Sequence, residues 1–164
     1  MPRTYEPIAS QTLGSDTSSV TFSSIPGTYT DLVLVMVASS THTGVTDFRV
    51  RFNSSSTANY SRTRLTGDGS SATSTRDTDG SYGYFGHLNN STTNFSVSRT
   101  QIMSYANTNV FTTTLVESAE AGTRVQREVG LWRVTDAITS ILIIAGAGNL
   151  RLGSTFALYG IKAA

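Results

Sequence analysis

Short segments of alternating or continuous apolar residues follow one another along the chain, separated by turn residues. In the segment 48–52, Phe48, Val50 and Phe52 alternate with Arg49 and Arg51. This period of two is typical of a strand with one buried face. The pattern predicts about eight to nine short strands. The clearest segments are 20–23, 32–37, 48–52, 98–105, 110–116, 128–134, 138–145 and 155–161, with weaker candidates at 60–65 and 82–88.

Many short strands without helical periodicity are typical of two packed sheets. We therefore predict an all-β fold, an antiparallel β-sandwich of jelly-roll type, for a single domain at residues 19–164. Residues 1–18 contain Pro2, Pro7 and the polar run Gly14–Ser18. Proline and small polar residues disfavour a packed element, so we expect an extended N-terminal arm there.

The segment Leu32–Val37 is apolar at every position. Such a strand is buried on both faces, whereas one face of a sheet in a small sandwich is normally solvated. A loop, the N-terminal arm or another subunit would have to cover it. The candidate residues for contact with another subunit or with a capsid are Tyr5, Ile8, Leu13, Val33, Val35 and Val37.

Two polar segments are predicted to lie outside the strands. Residues 66–81 are expected to form a long loop for binding or contact. Its carboxylates Asp68, Asp77 and Asp79 either offer oxygen ligands to an ion or belong to ordinary Asp-Gly turns; we favour the turns and expect no metal site. Residues 117–126 are predicted to be a connection, with one helical turn.

Composition excludes several classes of protein. Ser and Thr make up roughly three residues in ten, well above average usage. The net charge of +1 predicts no nucleic-acid partner, and the absence of cysteine excludes disulfides and thiolate metal sites. The N-terminus lacks a signal-peptide pattern, and the longest apolar run is too short for a membrane helix. We expect that the protein is made in the cytoplasm and does not associate with a membrane.

Candidate catalytic groups are few. His42 and His87 are the only histidines, and no nucleophile-elbow pattern surrounds any serine. Glu117, Glu120 and Glu128 could supply the paired carboxylates of a glycosidase, but they fall in a segment expected to be solvated. We predict no catalytic residues, no cofactor and no enzymatic activity.

Aromatic side chains offer another chemistry, since they stack on sugars. Tyr60, Tyr82, Tyr84 and Trp132 are the candidates for contact with a glycan. Most aromatic residues in a sandwich belong to its core, so packing is the alternative explanation for each of them.

Several segments together resemble small structural proteins of tailed bacteriophages. They are Phe22–Leu34, Asn59–Ala72, Ile102–Thr108, Gly130–Arg133 and Gly153–Ile161, and they are spread over nearly the whole chain. The motifs are structural and contain no catalytic signature. The resemblance implies a virion protein, either a head decoration (cement) protein or a tail appendage.

The leading hypothesis is a decoration protein, made in the host bacterial cytoplasm, that binds the head exterior as a homo-oligomer, expected to be a trimer. Its partners would be further copies of itself and phage capsid or tail proteins. The alternative is a tail-fibre or baseplate module that recognises a glycan of the host surface.

Overall fold

The computed structural model describes residues 4–120 and 122–162. Those residues contain twelve strands and no helix, arranged as two antiparallel sheets. The predicted all-β sandwich is confirmed. The strands are β1 (Tyr5–Thr12), β2 (Ser19–Phe22), β3 (Asp31–Ala38), β4 (Thr46–Phe52), β5 (Tyr60–Gly67), β6 (Ala72–Gly80), β7 (Gly83–Leu88), β8 (Ser96–Met103), β9 (Thr112–Glu120), β10 (Arg124–Trp132), β11 (Ile141–Ala145) and β12 (Thr155–Ile161).

The two sheets differ in width. The large sheet has eight strands in the order β1-β12-β3-β8-β9-β10-β5-β6, and the small sheet has four in the order β2-β11-β4-β7. Apolar side chains of both sheets fill the space between them. The core includes Leu32, Leu34 and Met36 of β3, Ile141 and Ile143 of β11, and Phe48, Val50 and Phe52 of β4. These are alternate positions on each strand, as the pleat requires.

Much of the interior beneath β7 is built from small hydroxyl residues rather than large apolar ones. Ser98 and Ser118 are buried on β8 and β9, and Ser98 Oγ donates a hydrogen bond of 2.6 Å to the carbonyl oxygen of Phe85. Gly86 has a φ of +99°, and a Cβ at this position would lie 2.3 Å from Ser118 Cβ. The backbone of β7 therefore approaches the large sheet too closely for a larger residue, which explains part of the serine and threonine content.

Residues 4–18, the described part of the segment predicted as an extended arm, differ from that prediction. Residues 5–12 are extended, but they form β1, the edge strand of the large sheet, which pairs with β12 from Tyr5↔Ile161 to Thr12↔Thr155. Leu13 is buried in the core. The boundary at residue 18 therefore does not separate an arm from the sandwich, and Pro7 is tolerated because β1 is an edge strand. Residues 1–3 lie outside the described range.

Two segments predicted as connections are strands instead. Residues 66–81 do not form a long loop: β5 ends at Gly67, a tight turn follows, and β6 pairs back along β5. The described residues of the segment 117–126, 117–120 and 122–126, contain no helical turn, since β9 continues to Glu120 and β10 begins at Arg124. Both hairpins extend the large sheet at its β6 end.

Candidate functional site

The outer face of the large sheet, which points away from the small sheet, carries an open groove of about 730 Å³. The groove lies over β8, β9, β10, β5 and β6. Its lining residues are Leu65, Thr66, Gly67, Ala72, Thr73, Ser74, Val97, Arg99, Glu117, Ser118, Ala119, Val125, Gln126 and Arg127. No aromatic residue lines it within the described part of the chain. We call this feature the outer-face groove.

Two neighbouring rows of residues run across the strands in the groove. The strand register places Val37, Val97, Ala119, Val125, Gly67 and Ala72 side by side in an apolar row. Val125 is 62% exposed and Val97 is 44% exposed, and Leu65, in the adjacent row, is 60% exposed. Large apolar side chains that lie together at such exposure are typical of a surface that contacts another molecule.

The second row places Arg99, Glu117 and Arg127 side by side on β8, β9 and β10. Arg127 Nη1 lies 2.6 Å from Glu117 Oε1, and Arg99 Nη1 lies 3.7 Å from Glu117 Oε2. Ion pairs at this level of exposure contribute little to folding stability. One carboxylate between two guanidinium groups leaves a net positive charge, which can face a carboxylate of a partner.

The six predicted contact residues differ in whether their side chains reach the surface. Val35 and Val37 are half-buried on the outer face of β3, and Tyr5 is exposed. Val33, Leu13 and Ile8 do not offer a free surface, because the first two are buried and Ile8 packs against the core.

The side chain of Tyr5 covers part of the outer face of β3. Its hydroxyl lies 3.5 Å from Nη2 of Arg99, although β12 and β3 separate the strands of these two residues. Strands in a sheet are about 4.8 Å apart, so the two side chains meet over the intervening strands. The chain itself thus contributes cover to this strand.

The four aromatic candidates for a glycan site do not lie together on a free surface. Tyr60 and Trp132 are buried at 3% and 2% exposure and pack against Phe52. Burial raises the pKa of the Tyr60 hydroxyl to about 12, and the oxygen accepts a hydrogen bond from the backbone N–H of Phe52. Tyr60 and Trp132 are therefore core residues and cannot stack on a sugar.

Tyr82 and Tyr84 are half-buried, and arginine side chains lie against both rings. The Arg51 guanidinium carbon lies 4.3 Å from the ring centre of Tyr82, and that of Arg62 lies 3.6 Å from the ring centre of Tyr84. These cation–π contacts already occupy ring faces that a sugar would need.

A cluster of charged side chains fills the interior between β7 and the strands β10 and β5. Glu128 is buried, with Oε2 3.4 Å from Nη1 of Arg62, and Glu120 is buried, with Oε2 3.3 Å from Nε of Arg124. The sequence analysis placed these carboxylates in a solvated connection, and for Glu120 and Glu128 this expectation was wrong. The register pairs Glu120 with Arg124, four residues before Glu128 on β10. The carboxylates of Glu120 and Glu128 therefore lie at different positions along the strands and do not face each other as the paired carboxylates of a glycosidase would.

His87 joins this interior cluster through both ring nitrogens. Nε2 lies 3.2 Å from Nη1 of Arg64, and Nδ1 lies 3.2 Å from Nη1 of Arg124. Desolvation lowers the pKa of His87 to about 4, opposed by Asp47 and assisted by the arginines. Desolvation also raises the pKa of Glu128 to about 7 and outweighs the opposing effect of Arg62 and Arg64. Shifted pKa values are common in active sites, but charge clusters that hold sheets together produce them too. His42, by contrast, is exposed in the turn after β3.

The three aspartates considered for an ion are engaged elsewhere. Asp68 Oδ1 accepts hydrogen bonds from the backbone N–H groups of Ser71 and Ser70 in the β5–β6 turn, which hold its pKa well below the usual range. Asp77 pairs with Arg62 at 2.5 Å, and Asp79 pairs with Arg133 at 2.6 Å. Residues 4–120 and 122–162 contain no group of three or more histidine, aspartate or glutamate side chains arranged to hold a metal ion. They also contain no helix long and apolar enough to cross a membrane.

The sequence analysis did not identify the outer-face groove, although part of its signal was present. Val125, Arg127 and Val129 alternate with Gln126 and Glu128 along β10. This is an amphipathic pattern, but its apolar side chains are the exposed ones and its polar side chains are the buried ones. A strand with that inversion is easily mistaken for a polar connection.

Comparison with known proteins identifies no family for this chain. No protein-family profile and no curated protein matches it. Among solved structures, the galectin LEC-6 of Caenorhabditis elegans is 8% identical, with a TM-score of 0.38 over 98% of this chain and 97% of the galectin. Exo-inulinase of Aspergillus awamori is 16% identical, with a TM-score of 0.46 over 96% of this chain and 29% of the enzyme. The alginate lyase Aly36B, as a mutant in complex with alginate tetrasaccharide, is 12% identical, with a TM-score of 0.37 over 94% of this chain and 79% of the lyase. These likenesses concern the β-sandwich fold alone.

Proposed function

We propose that this protein is a non-enzymatic structural component of a tailed-phage virion, and specifically a head decoration protein. In this proposal it binds a protein of the particle through the outer-face groove. The observation that carries the proposal is the exposed apolar row next to the Arg99–Glu117–Arg127 row. The resemblance of the sequence to phage structural proteins supplies the biological setting.

The chemistry of the groove favours a protein partner over a sugar. Its lining has valine, leucine and alanine side chains and a row of charges, and no aromatic ring on which a sugar could stack. A protein segment with apolar side chains and a carboxylate matches both rows. Burial of apolar surface contributes about 25 cal/mol per Å², and many copies on one particle act together.

We expect Val125→Asp to weaken binding to particles at least tenfold. The substitution places a charge in the centre of the apolar row, at a position that is 62% exposed in the free protein, so folding should be unaffected. Val110→Asp is the matched control, because Val110 is 46% exposed in the β8–β9 connection and does not line the groove. Binding is measured by co-sedimentation with heads assembled without the protein.

Two outcomes would overturn this proposal. One is equal binding by wild type, Val125→Asp and Val110→Asp, which would exclude the groove. The other is binding of the wild type to host cells or their polysaccharide and not to particles, which would support a receptor-binding module.

A further inference from the structure

The strand β6 forms one edge of the large sheet and is open on every side except that of β5. All of its residues from Ala72 to Asp79 are exposed, on both faces of the strand. Within the described part of the chain, its only neighbour in the sheet is β5. One row of its backbone donors and acceptors is thus available to another strand.

The two edges of the large sheet differ in how they are protected. The edge strand β1 contains Pro7, its register shifts between Pro7 and Ala9, and Lys162 lies 3.0 Å from Glu6 across it. Prolines, bulges and charged side chains are the usual devices that prevent edge strands from pairing. The segment Ala72–Arg76 of β6 has no proline and pairs regularly with Gly67–Thr63, and the register shift of this strand pair lies beyond Asp77. No bulge therefore interrupts the edge between Ala72 and Arg76.

We propose that β6 pairs with β6 of a second copy of this chain, antiparallel and about a two-fold axis, so that the two large sheets join into one. The outer faces of both copies lie on the same side only if outer-face residues of one β6 lie opposite outer-face residues of the other. A two-fold axis that passes through the pair of Ser74 residues meets this condition. This axis places Thr73 opposite Thr75 of the second copy and Ala72 opposite Arg76. No like charges then face each other, and Thr–Thr pairs are favourable cross-strand neighbours.

The outer face supplies a second reason for this partner. Ala72 and Ser74 line the outer-face groove, and Leu65 on the neighbouring strand is among the most exposed apolar residues of the described chain. Joining two β6 strands brings the two grooves side by side on one continuous surface. The sequence analysis favoured a trimer, whereas an isologous pair of edge strands closes at two copies.

Cysteine cross-linking tests the axis directly, since the wild-type chain contains no cysteine. In the proposed pair, two Ser74→Cys side chains lie directly opposite, with Cβ atoms about 4.5–5.5 Å apart, close to the range that a disulfide needs. We expect oxidation to give a covalent dimer at least tenfold faster than for Ser10→Cys, a matched exposed serine on β1. Equal rates for the two variants would overturn the proposal.

A second set of variants separates pairing from chance collision. Thr73→Lys combined with Thr75→Lys places like charges opposite each other in the pair, so we expect the Ser74→Cys cross-link to be lost. Light scattering should then show the mass of one chain, 17.5 kDa, where the parent protein approaches twice that mass at high concentration. Thr12→Lys, the same change at an exposed position of β1, should leave the dimer intact. A dimer that survives both lysines, or a trimer in the parent protein, would contradict pairing through β6.

This inference is independent of the proposed function. Val125→Asp should weaken particle binding at least tenfold and leave the Ser74→Cys cross-link unchanged, because Val125 lies on β10, two strands away from β6. The lysine variants should lose the cross-link, but they do not test the groove, because Thr73 also lines it.

Discussion

Replacing Trp132 by alanine is expected to lower the free energy of unfolding by about 3–5 kcal/mol. Trp132 is 2% exposed, its ring centre lies 5.4 Å from that of Phe52 in an edge-on arrangement, and it stacks on Tyr60 at 6.3 Å. Its removal leaves a cavity in an aromatic cluster that joins β10, β5 and β4. Chemical denaturation followed by far-ultraviolet circular dichroism measures the effect without relying on tryptophan fluorescence.

Leu152→Ala provides the control for this change, because Leu152 is a large apolar residue that is 54% exposed. We expect it to cost less than about 0.5 kcal/mol. Trp132→Phe should recover part of the lost stability, since a smaller ring fills part of the cavity. A loss of glycan binding in Trp132→Ala with unchanged stability would show instead that Trp132 is a sugar-contacting residue.

Replacing Glu128 by glutamine is expected to change the pH dependence of stability by about 3 kcal/mol between pH 4 and pH 8. The pKa of Glu128 is raised from 4.5 to about 7 in the folded protein. The folded state therefore binds this proton more tightly than the unfolded state does. The resulting stabilisation is complete below pH 4.5 and is lost as the pH rises through 7. Glutamine cannot ionise, so the variant should gain stability relative to wild type across this range.

Thermal denaturation at a series of pH values measures this difference. Glu117→Gln is the control for the amide substitution itself, because Glu117 lies half-exposed on the outer face. A Glu128→Gln variant that loses stability most strongly at high pH would show that its ion pair with Arg62 outweighs desolvation. His87 should act in the opposite direction: its pKa is lowered to about 4, so its contribution is lost as the pH falls from 6.5 through 4.

The strands with one or two buried faces were predictable from the sequence. The alternation of Phe48, Val50 and Phe52 and the continuous apolar run in β3 correspond to core strands of the structure. Burial selects apolar residues with the period of the pleat, so the pattern carries the information. The outer positions of β3 are more covered than a single sheet would predict, as its sequence indicated.

Strands, or parts of strands, that lack an apolar inner face could not be found in this way: β6 and the first half of β10 were predicted as loop and connection. β6 is exposed on both faces, so nothing in Ala72–Gly80 selects apolar residues, and the segment resembles a loop. On β10 the inner positions Gln126 and Glu128 are polar and have polar partners on neighbouring strands. Gln126 forms hydrogen bonds with Thr66 of β5 and with the backbone N–H of His87 on β7, and Glu128 pairs with Arg62 of β5. Such partners are far apart in sequence, and only the folded chain brings them together.

The small sheet is half as wide as the large one, and this has a consequence for local motion. Apart from Tyr60 in the aromatic cluster, the β5–β6 hairpin is held to the rest of the molecule by ion pairs such as Arg62–Glu128 and by backbone hydrogen bonds between β5 and β10. It buries few apolar side chains. Detachment of this hairpin would expose little apolar surface, so its free energy should depend only weakly on denaturant. Amide protons of β6 and β5 should therefore exchange with solvent through a sub-global opening, whereas those of β3 and β11 should exchange only on complete unfolding.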